Sequence, residues 1–184
     1  FYELELSSES VYVQSQLLLT RRLVYADGVQ LFGGQLEKPE LPGAQVVELG
    51  EGKSSVVQRD GRSYGSFEQR YAIFPEQSGV LTIPSDSVTA SVRVLDGIST
   101  SRKTVRVSTD EKRITVKAIP SEYPADKPWL PAIAVTAAQR FEPPLISDFE
   151  VGDTVTRTVN VRVIGNSGAS LPPVQLALPE DKFK

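Results

Sequence analysis

The 184-residue chain contains no cysteine, no histidine and no methionine, and only one tryptophan. Without cysteine there is no disulfide, no thiolate nucleophile and no cysteine zinc site. Without histidine there is no imidazole base, so a Ser-His-Asp triad cannot be assembled within the chain. The compartment stays open, because a cysteine-free protein is compatible with the cytosol, the periplasm or the exterior. No apolar run approaches the roughly 18 residues that a helix needs to cross a bilayer. Neither sign of charge dominates. The 20 Lys+Arg and 23 Asp+Glu leave a net charge of -3, which gives no reason to expect nucleic acid or an anionic membrane surface as partner. S-x-x-K does not occur, and the single G-x-S-x-G, Gly61–Gly65, has no histidine in the chain to serve its serine as base. Gly33-Gly34 lacks both the spacing and the strand-to-helix context of a phosphate-binding loop. The first residue is Phe1, and the sequence is expected to be an internal piece of a longer protein, with any signal or anchor outside it.

What is present is period-2 alternation. Leu17, Leu19, Leu23 and Tyr25 share one parity, broken by Arg21, where an edge or a solvent opening is expected. Phe67, Tyr71 and Ile73 share a face, as do Val92 and Val94, and Ile114, Val116 and Ala118. In "TVTRTVNVRVIG" Val155, Val159, Val161 and Val163 oppose a row of Thr, Asn and Arg. Such rows predict half-buried antiparallel strands. Asp60-Gly61 and Asp96-Gly97 are hairpin signals. In "YAIFPEQSGVLTIP" Pro75 cannot donate to a ladder, Gly79 is free to take positive φ, and Leu81 and Ile83 resume the alternation. That stretch predicts a sandwich corner rather than a catalytic loop. "PAIAVTAAQRF" is read as a strand despite its alanines.

The prolines at 120, 124, 128 and 131 mark a boundary, since each fixes φ and removes a donor. The predicted fold is all-β: an immunoglobulin-like β-sandwich over 1–119, a Pro-rich linker over 120–131, and part of a second β-sandwich domain over 132–184. About eight strand runs precede the linker, enough for one sandwich. The three that follow, near 132–141, 153–165 and 173–178, are too few for a two-layer core. The strands near 153–165 and 173–178 are therefore expected to pair with the first domain or a second copy.

Three residues stand out as partner-binding candidates. Leu31 and Phe32 lie in a long, irregular stretch, 27–45, which reads equally as a partner-binding tip or as a flap over one sheet edge. Trp129, between Pro128 and Pro131, reads first as a spacer packed under the linker and second as an exposed anchor. Asp110, Glu111, Glu122 and Asp126 are loosely spaced and interleaved with Lys112, Arg113 and Lys127, so solvated surface is favoured over a Ca²⁺ site. Glu48, Glu51 and Glu68 show no spacing that sets a general acid against a base. No catalytic, cofactor-binding or metal-ligating residue is assigned, and no cofactor is expected.

Four stretches, in order, resemble the bacterial BatD (aerotolerance, or oxygen tolerance) family: "ESVYVQSQLLLTRRLVY", "QRDGRSYGSFEQRYAIFPEQSGVLTIP", "VKAIPSEYPADKPWLPA" and "FEVGDTVTRTVNVRVIGNSGASLPPV". The resemblance covers nearly the whole chain. It implies a membrane-anchored protein of the periplasm or cell envelope, with its anchor outside this fragment. It also implies partners among envelope proteins, namely von Willebrand factor A-type proteins and the MoxR-type ATPase system. The family supplies no catalytic motif. The expectation is a non-enzymatic protein-interaction module; the alternative is an extracellular carbohydrate-binding or adhesin-like β-sandwich domain.

Overall fold

The computed structural model describes residues 1–26, 29–96, 99–144, 148, 150 and 152–174. Its regular structure is almost wholly β, in several antiparallel sheets with no closed barrel, an all-β fold of sandwich type. The chain divides into two compact units, Phe1–Ser121 and Glu122–Lys184. Residues 120–131 carry no strand. In chain order the first unit contains β1 (Tyr2–Leu6), β2 (Ser10–Tyr12), β3 (Leu17–Ala26), β4 (Gln30–Gly33), β5 (Ala44–Glu48) and β6 (Lys53–Arg59). It continues with β7 (Arg62–Pro75), β8 (Gly79–Ile83), β9 (Ser87–Asp96), β10 (Ser99–Ser108) and β11 (Lys112–Lys117). The second unit contains β12 (Ala134–Glu142) and β13 (Thr156–Ile164).

One layer of the first unit is a five-stranded sheet in the order β1-β3-β7-β5, with β6 also on β7. The other layer is two three-stranded sheets, β2-β11-β8 and β10-β9-β4. The alternation in the sequence explains the packing. Leu17 lies opposite Ile73 and Leu19 opposite Tyr71 across the β3–β7 ladder. All four are fully buried, against Leu81, Ile83, Ile114 and Val116 of the facing sheet. A second, smaller core gathers Tyr2, Leu23 and Val88, with Leu31, Leu36 and Val107 packed on it.

The corner forms as the sequence predicts. β7 ends at the buried Pro75, Gly79 takes φ +129°, and β8 returns in the opposite layer. Gln14 N–H donates to the Pro75 carbonyl at 2.7 Å, and Glu76 N–H to the Gly43 carbonyl at 2.8 Å, so the turn is tied to two neighbouring segments.

Arg21 corrects the sequence reading. It lies at neither an edge nor an opening. It sits on a strand bonded on both sides and is 5% exposed. Its side chain faces the seam where the second layer changes sheets. There the chain steps from β8 to β9 through Pro84-Ser85-Asp86, and from β10 to β11 through Thr109-Asp110-Glu111. The two steps are laced together: Asp86 N–H donates to Thr109 Oγ1 at 3.0 Å, and Thr109 N–H to the Asp86 carbonyl at 2.8 Å. Arg21 Nη2 pairs with Asp86 Oδ2 at 3.0 Å, and Nη1 donates to the Glu37 carbonyl at 2.6 Å. Tyr2 donates its hydroxyl to the same Asp86 oxygen at 2.5 Å, and Tyr71 donates to the Leu36 carbonyl at 3.2 Å. Burial, followed by the bond to Asp86, pushes the Tyr2 hydroxyl far above its ordinary value. Burial also raises that of Tyr71, against the opposing charge of Arg21. A gap between two sheets exposes carbonyls that apolar side chains cannot satisfy, and an arginine fork can.

Gly65 is a second point of close approach. A Cβ there would lie 2.3 Å from the Tyr25 ring, which covers the glycine across the ladder. Gly65→Ala is expected to lose about 2 kcal/mol through the displaced ring, measured by urea denaturation. Part of that loss should return in the Gly65→Ala/Tyr25→Ala double variant.

In the second unit β12 and β13 pair antiparallel, from Ala134 opposite Ile164 to Glu142 opposite Thr156. "PAIAVTAAQRF" is thus a strand. The 153–165 run, expected to pair with the first domain or a second copy, forms this ladder with β12 along one edge, and its strand is shorter, Thr156–Ile164. In the run expected at 173–178, Pro173 and Val174 are not in a strand, and the rest lies outside the described residues.

Candidate interaction surface

The stretch 27–45 was expected to be irregular. Asp27 and Gly28 lie outside the described residues, but Gln30–Gly33 forms β4, antiparallel to β9. Pairing splits the two sequence candidates. Leu31 lies opposite Val92 and Phe32 opposite Ser91, so they point to opposite faces of the small sheet.

Leu31 lines the inner face, beside an apolar cleft of about 280 Å³ between this sheet and the large one. Val92, Val105 and Val107 share that lining with Leu23 and Tyr64. Phe32 lies on the outer face, between two guanidinium groups. The Arg102 Cζ is 4.6 Å from its ring centroid and that of Arg93 is 5.3 Å away. Arg93 and Arg102 face each other directly across the β9–β10 ladder. Like charges so placed repel, and the aromatic face offsets part of that repulsion. Arg106 follows Arg102 on the same face, its Nη2 donating to Ser87 Oγ at 2.9 Å. Arg93, Arg102 and Arg106 are all exposed, and among the described residues none pairs with a carboxylate.

The outer face of the large sheet is different. Arg22 bonds Glu68 at 2.6 and 3.0 Å, Arg70 bonds Glu68 at 2.8 Å, and Arg59 grips both oxygens of Glu3. The hydrogen bond from Arg59 holds Glu3 below the usual carboxylate range, and that from Arg22 does the same for Glu68. A carboxylate whose folded pKa is depressed adds stability that is present above its unfolded value, about 4.3, and is lost as pH falls through the folded one. The melting temperature is expected to be flat from about pH 8 to about pH 5 and to fall below about pH 4. The fall should be shallower in Glu68→Gln, as thermal scans across pH would show.

Comparison of the chain with family models, with characterised proteins and with solved structures gives no match. The remaining sequence candidates find these places. Trp129 is half-buried in the second unit. Its ring meets that of Tyr123 edge-on at 4.8 Å, and the Tyr123 hydroxyl donates to the Pro128 carbonyl at 2.7 Å. Glu111 pairs with Arg113 at 2.9 Å, and Asp126 with Lys127 at 3.3 Å. Glu68 belongs to the ion network just described, and Glu48 and Glu51 are exposed.

The two arginines over Phe32, Arg93 and Arg102, were not singled out from the sequence. Their alternation with Ser91, Thr104 and the valines was visible. Their convergence on one ring depends on the register of the hairpin and on β4, which the sequence reading left as loop.

Proposed function

We propose that this chain is a non-enzymatic protein-interaction module of a bacterial envelope protein resembling BatD, working in aerotolerance or stress with von Willebrand factor A-type and MoxR-type ATPase partners. In this reading the first unit is an immunoglobulin-like sandwich, and the second is part of another. The observation that carries it is the outer face of β4-β9-β10. Two exposed arginines, Arg93 and Arg102, are held over one aromatic ring with a third, Arg106, on the same face, none paired with a carboxylate among the described residues, on a sheet whose backbone is fixed by two ladders. Arginine and aromatic side chains are enriched where proteins recognise one another. The family likeness, carried by the four stretches quoted above, supplies the envelope location and the partner class.

Binding of a purified von Willebrand factor A-type protein encoded beside the full-length protein tests the reading. The intact chain is expected to bind it, and Arg93→Glu/Arg102→Glu to weaken binding at least tenfold with an unchanged melting temperature. Absence of binding by the intact chain, or full binding by the variant, would overturn the assignment of this face.

A further inference from the structure

We infer that β10 is a docking edge for an extended segment of a partner protein in which acidic residues alternate with aliphatic ones. The inference rests on the interaction reading above and names the chemistry of the partner at that same sheet.

β10 is ten residues long and lies at the end of its sheet, with β9 as its single ladder partner among the described residues. Half of its backbone donors and acceptors therefore point away from the sheet, ready to pair with an added strand. Its two faces carry different chemistry. Arg102 and Arg106 stand on the outer face, four residues apart with Thr104 midway between them, and Arg93 lies opposite Arg102. Val105 and Val107 stand on the inner face, where they line the apolar cleft. Lys103 shares that inner parity, opposite Val92.

A strand added beside β10 continues both faces. Its outward residues come to lie beside Arg102 and Arg106, where carboxylates receive charge-assisted bonds from guanidinium forks, that of Arg102 held against the Phe32 ring and that of Arg106 bonded to Ser87. Its inward residues come to lie beside Val105, where aliphatic side chains extend the lining of the cleft. The rival explanation is protective: basic residues on an edge strand keep other strands away. An anionic membrane surface is a further competitor, since it also satisfies arginines but makes no backbone ladder.

The experiment titrates a capped Glu-Val-Glu-Val-Glu-Val-Glu peptide into the ¹⁵N-labelled full chain and follows amide shifts and hydrogen exchange. Shifts and new exchange protection are expected along 101–107. Affinity should fall at least tenfold in Arg102→Glu/Arg106→Glu, less in Arg102→Gln, and at least tenfold for a Lys-Val peptide or one with alternate amides N-methylated. The preserved spectrum of each variant confirms that it folds.

No response at β10 would establish the protective explanation and overturn the inference. Equal binding of the N-methylated peptide would show charge attraction without strand addition, and would also overturn it. So would binding of phosphatidylglycerol vesicles with the same dependence on Arg102 and Arg106 but no response to the peptide. If the purified partner still binds Arg102→Glu/Arg106→Glu, the interaction reading stands and the docking edge falls. If the partner binds neither form, the interaction reading itself falls.

Discussion

Asp86→Ala is expected to destabilise the first unit by about 3 kcal/mol, at the lower end of the cost of breaking a buried ion pair. The lower end applies because Asp86 keeps a third of its side chain in water, while Arg21 is almost wholly enclosed. Removing Asp86 orphans the guanidinium inside the seam, and Arg21 Nε already has no partner. It also strips the Tyr2 hydroxyl of its acceptor. A drop in melting temperature on the order of 10 °C should follow. Arg21→Met should cost much less, about 1 kcal/mol. Methionine fills the channel of the arginine stem, the desolvated charge disappears, and Asp86 retains water and Tyr2. Equal losses in the two variants, measured by urea denaturation, would show that the seam is held by packing alone and that the ion pair adds little.

Tyr71→Ala is expected to cost about 4 kcal/mol, the largest loss from any single truncation considered. The ring is fully buried at the centre of the main core, flanked by Leu19 across the ladder and by the Arg21 guanidinium 5.6 Å from its centroid. Tyr71→Phe keeps the ring and loses the hydroxyl's bonds to the Leu36 carbonyl at 3.2 Å and, longer, the Glu37 carbonyl at 3.5 Å, so about 1 kcal/mol is expected. The contrast separates two roles. If Phe costs as much as Ala, the hydroxyl that pins the 34–42 segment outweighs the packing. If Phe is neutral, that segment is held by other bonds, with the Arg21 contact to the Glu37 carbonyl the first candidate. Denaturant midpoints for the two variants decide between them.

Much of the scaffold was legible before any coordinates. The buried rows at Leu17 and Leu19, at Tyr71 and Ile73, and at Ile114 and Val116 follow from parity, because one face of a strand is desolvated and the other is not. The corner at Pro75 and Gly79 follows from the missing amide of one residue and the missing Cβ of the other. β4 was not legible. Four residues among glycines carry too little periodicity to separate a strand from a loop, and β4 exists because β9 offers an edge to pair with.

The two Asp-Gly signals show where reading by sequence stops. At Asp60-Gly61 the turn sits where the dipeptide does: Arg59 lies opposite Arg62, and both turn residues take positive φ. At Asp96-Gly97 the pairing is Asp96 with Ser99, one residue further along. Had Asp96 and Gly97 both been turn residues, Arg93 would have faced Thr100. The observed register instead places Arg93 opposite Arg102 and both beside Phe32.

The sequence by itself therefore determined which apolar rows leave water, where chain direction changes, and that no imidazole or thiol chemistry resides here, since these depend on residue type and local spacing. Tertiary structure alone decided that Arg21 meets its counter-charge at Asp86 and that Arg93 and Arg102 converge on one aromatic ring. Charge pairing and hairpin register are set by residues far apart in the chain, and a shift of one residue changes every cross-strand partner.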